Sequence, residues 1–372
     1  MTTPAPADER PQLSIGMLGY GFMGKAHSNA LKTLPYMFWP RAARLDLHTI
    51  AGRSEGSVAE AATRYGWRNY ATDWREVVEN PEIDIFDNVG PDAAHFEPTL
   101  AAIRAGKHVV CEKPLSNSLA EAEQLAAAAA EAGVQNMTCF NYRFVPAVRL
   151  AREMIANGEL GEIYSAEFRY AQEWRTDPDS ELPSPVGALD IIGCHAIDQA
   201  RYLVGEVDTV SAYLTNPVTS EERAEPIDTV ASVVQFEGGA AGSISASLIA
   251  PGRRNRLSWE INGSRGSLVW DLEQLNVLKV HRRTGEASSG FTEVIVCESD
   301  HPFMDTWWPS GHILGWEHSH INMWAHFIEA VLGNGELAPH AATFADGVAA
   351  ARVADAITSS ARTGERTSVR RG

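Results

Sequence analysis

The strongest constraint on the fold is a glycine loop near the start of the chain, Gly19-Tyr20-Gly21-Phe22-Met23-Gly24. The apolar run Leu13–Leu18 precedes it and apolar residues at helical spacing follow it, which is the strand–loop–helix context that a GxGxxG sequence requires. There the first glycine permits a tight turn, the second lets a pyrophosphate approach the backbone, and the third lets the helix pack on the strand. The free N–H groups and positive dipole end of the helix favour such an anion. The alternative is a glycine-rich turn that binds nothing.

Strand and helix signals alternate over the first 140 residues, which predicts a parallel sheet covered by helices on both faces. After about residue 145 longer strands dominate, and Gly238-Gly239 is a hairpin signal, so the second half predicts a mostly antiparallel sheet with helices. The predicted fold class is α/β, with an N-terminal doubly wound Rossmann sheet and a C-terminal α+β domain. The expected organisation is a flexible N-terminus over residues 1–12, a dinucleotide-binding domain over 13–145, and a substrate-binding and oligomerisation domain over 146–372.

Charge and cysteine content narrow the classes of function. The net charge of −17 repels phosphate backbones and anionic lipids, so nucleic acid and membrane surfaces are not expected partners. The four cysteines are scattered without a CxxC pair, which argues against a disulfide framework and fits a reducing cytoplasm. The first twelve residues lack the apolar core of a signal peptide, and no run of about 20 apolar residues predicts a membrane span.

The end of the second predicted strand is where a dinucleotide-binding domain discriminates the ribose. An acidic residue there favours NAD, whereas this chain has Ala51-Gly52-Arg53-Ser54. Arg53 and Ser54 could instead hold a 2′-phosphate, so the sequence favours NADP over NAD. The alternative is that Arg53 stacks on the adenine or is simply solvated.

A lysine follows the predicted strand His108–Cys111, in the sequence Glu112-Lys113-Pro114. In a doubly wound sheet, ligands bind beyond the carboxyl ends of the strands, so Lys113 can reach the reactive end of a dinucleotide. Its amine could hydrogen-bond a substrate hydroxyl and carry its proton. The alternative is an ordinary solvated lysine.

These motifs resemble the Gfo/Idh/MocA oxidoreductases. The resemblance rests on the glycine loop with His27, on Ala105–Pro114 with its Glu-Lys-Pro end, on Asn141-Tyr142-Arg143 and on Gly158–Gly161. Three segments look closest to levoglucosan-dehydrogenase-like members: Tyr36–Pro40, Gln172–Trp174 and Gly311–Gly315. The resemblance implies a Rossmann domain plus an open antiparallel-sheet domain, NAD or NADP, a sugar or cyclitol substrate, and a homodimer or homotetramer associated through the sheet. It implies these cofactor-binding residues: Gly19, Gly21, Phe22, Met23, Gly24, Arg53, Ser54 and Glu112.

The chain departs from the family at its catalytic helix. The family usually has an Asp four residues before a His, whereas Ile191 stands four before His195 and Asp190 stands five before it. Three interpretations remain open. The helix could start late, so that Asp190 lies in the preceding turn and still reaches the site; Asp190 could be an N-cap; or the acid could have been given up. His195 could itself be an ordinary core histidine.

The resemblance implies Lys113, His195 and Asp190 as catalytic residues, and Arg143, Trp174, His312 and Asp198 as substrate-binding residues. The proline-containing stretch Thr176–Val186 is shorter than the family's loop there, which leaves the substrate open. His312, His318 and His320 lie among four tryptophans, and this group is either a sugar pocket or a buried aromatic core. It lacks the Cys or carboxylate partners of zinc sites, so no metal is expected.

The function that the sequence favours is NAD(P)-dependent hydride transfer at a hydroxyl-bearing carbon of a sugar, anhydrosugar, glycoside or cyclitol. One alternative keeps the cofactor bound: transient oxidation acidifies a proton, a leaving group is eliminated, and the hydride returns, which makes a redox glycosidase or lyase. The other alternative is a regulator that binds a dinucleotide without turnover.

Overall fold

The computed structural model describes residues 10–40, 42–176, 187–217, 227–285 and 289–370. Of the expected flexible N-terminus, residues 1–9 lie outside the described residues, and the first strand begins at Gln12. The chain divides into two compact units. Unit 1 contains Met1–Cys139 and Glu317–Ala345, and unit 2 contains Phe140–Trp316 and Asp346–Gly372.

Strands and helices alternate through the first part of unit 1. In chain order they are β1 (Gln12–Leu18), α1 (Phe22–Met37), β2 (Arg44–Ala51), α2 (Glu55–Tyr65), β3 (Asn69–Ala71), α3 (Arg75–Val78), β4 (Ile85–Asn88), α4 (Phe96–Arg104), β5 (His108–Cys111), α5 (Leu119–Ala132) and β6 (Asn136–Thr138). Local signals explain several ends: the Ser118 side chain caps α5, and Gly66 ends α2 in the left-handed conformation. Strands and helices thus alternate as the sequence predicts, and β1 and β5 match the predicted strands Leu13–Leu18 and His108–Cys111 to within one residue.

The sheet of unit 1 has the strand order β3-β2-β1-β4-β5-β6, and every recorded pair is parallel. β1 and β4 are buried along almost their whole length, as expected when helices cover both faces of a parallel sheet. This is the doubly wound order in which ligands bind beyond the carboxyl ends of the strands. The predicted Rossmann sheet is therefore confirmed.

The remaining elements follow in chain order: α6 (Pro146–Ala156), β7 (Ile163–Ala171), α7 (Cys194–Leu203), β8 (Val207–Thr215), β9 (Thr229–Phe236), β10 (Ala241–Ser247), β11 (Arg256–Gly263), β12 (Gly266–Asp271), β13 (Val277–Arg282), β14 (Thr292–Ile295), α8 (Glu317–Val331), α9 (Phe344–Thr363) and β15 (Thr367–Ser368). A π-helical turn, Leu189–Gly193, runs directly into α7. The sequence predicted neither this turn nor β15.

Unit 2 is built on a nine-stranded sheet in the order β14-β13-β12-β11-β7-β10-β9-β8-β15. Only the recorded pair β7–β10 is parallel, which confirms the predicted mostly antiparallel sheet. Side chains alternate between buried and exposed along β9, so one face of this sheet packs on a core and the other is exposed in this chain.

Helix α8 returns to unit 1 although it lies late in the sequence. It packs against α1, and the segment after it hydrogen-bonds the edge strand β6, where the Thr138 amide donates to the Ala342 carbonyl at 2.8 Å. The sequence placed one boundary between residues 145 and 146. The compact units change at residues 139 and 140 instead, and unit 1 gains residues 317–345 because of these contacts.

Two further expectations concern the whole chain. All four cysteines are buried thiols, and no disulfide joins any of them. Within the described ranges, we find no helix with the length and apolarity needed for a membrane span.

Candidate active site

The three loop glycines occupy different environments in unit 1. Gly19 has a φ of +107°, and a Cβ there would lie 2.6 Å from the Val89 carbonyl oxygen. A Cβ on Gly24 would lie 2.6 Å from the Gly19 carbonyl oxygen, whereas a Cβ on Gly21 would meet no described atom within 4 Å. The first and third glycines are therefore needed for folding, and the second faces open space. The first turn of α1 carries no acidic residue, so the loop fits a dinucleotide pyrophosphate.

This difference makes a testable prediction for two valine substitutions. Gly24→Val should lower the melting temperature, because its side chain has no room beside the Gly19 carbonyl. Gly21→Val should leave the melting temperature unchanged but weaken nucleotide binding, because the side chain fills the space that the phosphates need. Calorimetry and a nucleotide fluorescence titration measure the two effects. Equal losses of stability in both variants would contradict the assignment.

The residues predicted to meet the ribose follow β2. Arg53 and Ser54 are exposed, and Gly52 lies so close to the Tyr20 ring that a Cβ would collide with it. The first acidic residue after β2 is Glu55, in the first turn of α2. Phe22 and Met23 lie in the first turn of α1, where Phe22 is largely exposed.

Lys113 follows β5 at the carboxyl end of the parallel sheet. It is half-buried and joined to Pro114 by a cis peptide bond. The buried ring of His95 spans this turn: Nδ1 lies 2.7 Å from the Pro114 carbonyl oxygen and Nε2 lies 3.1 Å from the Gly90 carbonyl oxygen. Sequence reasoning missed His95, because its partners are backbone atoms that no motif marks.

Glu112 was predicted to bind the cofactor, and its geometry opposes that role. Its side chain is buried, with Oε2 accepting the Lys113 backbone N–H at 3.0 Å and Oε1 lying 3.3 Å from His27 Nε2. Burial opposes ionisation, but the neighbouring His27 side chain lowers the pKa of Glu112 to about 2. This geometry favours Glu112 as an internal carboxylate beside the lysine loop over a side-chain contact with the cofactor.

Three potential metal-binding atoms come together at this point, although no metal was expected. His27, Glu112 and Cys139 each offer an atom within 4.8 Å of the other two. Metal binding requires a thiolate, and burial raises the pKa of the Cys139 thiol well above its usual range. His27 also lies between two carboxylates, which favours its protonated form over the neutral form that binds metals.

In unit 2, the π-helical turn explains the unusual spacing of Asp190 and His195. A π turn closes hydrogen bonds over five residues instead of four, so it adds one residue to a helical turn. Asp190 lies within this turn and His195 lies just after it, at the start of α7. Asp190 and His195 are five residues apart across the π turn, and they therefore correspond to two residues that are four apart in a regular α-helix. The side chain of Asp190 is half-buried, and the interpretation of Asp190 as an N-cap is wrong because Ala188 occupies that position.

The His195 ring is buried among aromatic side chains of unit 2. Its centroid lies 4.8 Å from the Tyr142 ring and 5.8 Å from the Tyr170 ring. The Trp316 indole donates to the Tyr142 hydroxyl at 3.3 Å, and that hydroxyl lies 2.9 Å from the Tyr170 hydroxyl. These contacts hold two phenol groups beside His195.

A short amide network continues from Tyr170. Its hydroxyl donates to Asn255 Oδ1 at 2.7 Å, and the Gln172 amide donates to the same oxygen at 2.6 Å. Trp174, which is 38% exposed, donates its indole N–H to Gln172 Oε1 at 2.6 Å. Sequence reasoning named the segment Gln172–Trp174 but missed Tyr170 and Asn255; the available signal was the alternate positions 170, 172 and 174, which run past the end of β7.

Arg143 and Asp198 were predicted to bind substrate, and the structure pairs them with each other. Arg143 Nη2 lies 2.6 Å from Asp198 Oδ1 and 3.1 Å from Asp346 Oδ1, and Arg143 and Asp198 are only 2% and 1% exposed. Burial opposes the charge on Arg143, but both carboxylates outweigh it and hold its pKa above the ordinary value. Removing one partner of such a pair typically costs about 3–5 kcal/mol. The two side chains therefore form an internal ion pair, and a direct contact of either one with substrate stays a prediction.

The histidines and tryptophans near residues 307–324 are divided between the two units. His320 and Trp324 are buried in unit 1 against His27, with ring centroids 5.4 and 5.8 Å from it. His312 belongs to unit 2, is exposed, and has Nδ1 at 2.7 Å from the Pro309 carbonyl oxygen. The interpretation as an aromatic core therefore fits His320 and Trp324, and His312 remains a candidate substrate ligand. Residues 177–186, in the predicted short loop, lie outside the described residues.

Comparison with protein-family models matches both halves of the chain. Residues 13–140 match an oxidoreductase family with an NAD-binding Rossmann fold, and residues 148–269 match the GFO/IDH/MocA C-terminal domain. Levoglucosan dehydrogenase of Pseudarthrobacter phenanthrenivorans is 35% identical over 94% of this chain and 96% of its own. The NAD-dependent scyllo-inositol 2-dehydrogenase of Bacillus subtilis is 31% identical over 69% of this chain and 73% of its own.

A solved structure extends this similarity to the fold. Levoglucosan dehydrogenase in complex with NADH and levoglucosan superposes with a TM-score of 0.92 at 36% identity, covering 96% of this chain and 99% of that one. Sequence and fold thus agree along nearly the whole chain. It belongs to the Gfo/Idh/MocA family of NAD(P)-dependent oxidoreductases.

Proposed function

We propose that this oxidoreductase transfers hydride between a nicotinamide dinucleotide and a hydroxyl-bearing carbon of a sugar, anhydrosugar, glycoside or cyclitol, with an anhydrosugar as the first substrate to test. The observation that carries the proposal is the position of Lys113, at the carboxyl end of the same sheet whose glycine loop leaves open space beside Gly21. The full-length similarity to levoglucosan dehydrogenase supports the anhydrosugar class.

The residues divide this work by their chemistry. The backbone of Gly19–Gly24 and the start of α1 hold the pyrophosphate of the cofactor, and the nicotinamide, when bound, exchanges hydride with the substrate carbon. Lys113 accepts the hydroxyl proton during oxidation and returns it during reduction. Asp190 and His195 orient the substrate hydroxyls, and His195 assists the proton transfer. Trp174 offers an indole face to the apolar side of the sugar ring.

We propose that NADP is favoured over NAD. No carboxylate follows β2 until Glu55, and Arg53 is exposed where a 2′-phosphate would need a cation. The solved structure of levoglucosan dehydrogenase is a complex with NADH, so the cofactor preference of this chain needs a direct test.

Arg53→Ala should weaken NADP binding by about tenfold, the order of one charge-assisted contact, while NAD binding stays the same. Titrations with both cofactors measure this, and equal losses for both would contradict it.

The experiment that tests the function is the absorbance of reduced nicotinamide with NAD and NADP in turn. The substrates are levoglucosan, free sugars, glycosides and inositols. Reduction with one class would establish the dehydrogenase and its cofactor preference. Measurable nucleotide binding without reduction by any class would refute simple hydride transfer for these substrates, and glycoside cleavage in the same samples would identify the cofactor-retaining alternative.

We also propose that the protein is a cytoplasmic homodimer or homotetramer that associates through the exposed face of the unit 2 sheet. Tyr213 and Val233 are 80% and 64% exposed on the paired strands β8 and β9, and large apolar side chains on one face favour a protein partner. The four buried thiols fit a reducing compartment.

Light scattering should give the mass of a dimer or tetramer, and Val233→Glu should shift that mass toward the monomer. A wild-type monomer would contradict this.

A further inference from the structure

We propose that His27, held between Asp87 and Glu112 in unit 1, is a positioning residue that fixes the Lys113 loop by orienting the Glu112 side chain. His27 belongs to α1, Asp87 to β4, and Glu112 follows β5, so the contact joins the phosphate-binding helix to the lysine loop. The inference deepens the proposed function, because it assigns a support to its principal catalytic residue.

The geometry favours a hydrogen on both nitrogens of the His27 ring. Nδ1 lies 3.1 and 3.0 Å from the two carboxylate oxygens of Asp87, and Nε2 lies 3.3 Å from Glu112 Oε1. A neutral imidazole has one lone pair, which would face a carboxylate oxygen whichever tautomer formed. The imidazolium alone offers a donor to each carboxylate.

The environment supports the same charge state. His27 is fully buried, and burial alone would lower its pKa, but the carboxylates of Asp87 and Glu112 raise it to about 10. Burial also raises the pKa of Asp87, and His27 opposes this. On the α8 side, burial and the charge of His27 lower the pKa of His320 to about 3, so His320 adds no competing positive charge.

The link to the lysine runs through the two oxygens of Glu112. Oε2 accepts the Lys113 backbone N–H at 3.0 Å, while Oε1 faces the imidazolium. The 3.3 Å contact is poorly aligned as a hydrogen bond, so charge rather than direction holds it. A neutral side chain at position 27 would therefore release Glu112 and loosen the lysine loop, even where its size is similar.

The charge state is tested directly on the full-length wild-type protein. Nitrogen-15 NMR with histidine-selective labelling at about pH 8, where an ordinary histidine is neutral, reports both ring nitrogens, and the His27→Gln spectrum assigns the signal. We expect both His27 nitrogens to carry hydrogens. A neutral tautomer would overturn the proposal. So would a stoichiometric metal ion in elemental analysis, because it would bind the neutral ring.

The positioning role is tested with His27→Gln and Glu112→Gln, each of which removes one charge with little change in shape. We expect both to lower kcat by about tenfold to a hundredfold, as misplaced catalytic groups do, with nucleotide affinity retained and faster amide exchange confined to the lysine loop. The control is His48→Gln, because His48 is also buried and paired with a carboxylate, Glu82, but lies on β2. It should keep full kcat.

Unchanged kcat in both variants would overturn the positioning role of His27. So would amide exchange that becomes faster throughout unit 1 together with a loss of nucleotide binding. If His27→Gln does not fold, the kcat of Glu112→Gln and the nitrogen-15 spectrum of the wild type still test the positioning role of His27. A wild-type protein that turns over no substrate would refute the proposed function. The protonation and amide-exchange measurements would still test His27 in that case, so the two failures are distinguishable.

Discussion

Replacing Lys113 by alanine is expected to lower kcat by about 10²- to 10⁴-fold, the usual contribution of a positioned acid–base group. Nucleotide affinity should persist, because the glycine loop and the start of α1 hold the phosphates independently of this side chain. The fold should persist as well, since Lys113 is only half-buried and follows the end of β5. Steady-state kinetics and a nucleotide titration separate the two effects.

The matched control for this substitution is Lys279→Ala. Lys279 lies on β13 in unit 2, is partly exposed, and pairs with Glu293 at 2.9 Å. Its replacement removes the same charge and should leave kcat unchanged. Full turnover in Lys113→Ala would show that Lys113 takes no part in the reaction. An equal loss of kcat in Lys113→Ala and Lys279→Ala would assign the effect to overall charge.

The second large effect is expected from exchanging Asp190 and Ile191. The double variant Asp190→Ile/Ile191→Asp keeps the composition and restores the four-residue spacing before His195 that the family usually has. Because the π turn already absorbs one residue, this exchange should turn the acid away from the substrate side. We expect kcat/KM to fall by about 10²-fold, the size of a misplaced orienting group.

The control for the exchange is Asp190→Ala, which should lose about as much activity as the double variant. Kinetics with the substrate found in the nicotinamide assay measure all three proteins, and circular dichroism checks that α7 persists. If the exchanged protein matched or exceeded the wild type, the helix would be α-helical in solution and the acid at position 190 would have no orienting role.

The parts of the site that the sequence predicted depend on short stretches of chain. The glycine loop, the absence of an acid after β2, and the lysine at the end of β5 are local patterns, and parallel strand order then brings their carboxyl ends to one edge. Gly238-Gly239 is likewise a local hairpin signal, and β9 and β10 on either side of it pair antiparallel. Each of these features is determined by residues that are close together in the chain, so the pattern of residue types is enough to predict it.

The parts that the sequence missed depend on residues that are far apart or on backbone geometry. A π turn adds one residue without a compositional signal, so Asp190 looked out of register. Arg143 and Asp198 are 55 residues apart in the chain. The residue types alone do not indicate that the two side chains form an ion pair. His27, Asp87 and Glu112 likewise come from three elements, and α8 joins unit 1 from beyond residue 316.

Direct hydride transfer from a substrate carbon to nicotinamide is the reaction proposed for this oxidoreductase. It is tested by turnover of levoglucosan, or of whichever substrate class proves active, with deuterium on its carbon-bound positions, followed by mass spectrometry of the cofactor. Hydride transfer predicts one deuterium in the reduced nicotinamide, formed in step with the ketone, and its much slower appearance in Lys113→Ala. Product formation without deuterated, reduced cofactor would rule out net hydride transfer and identify a reaction that returns its hydride.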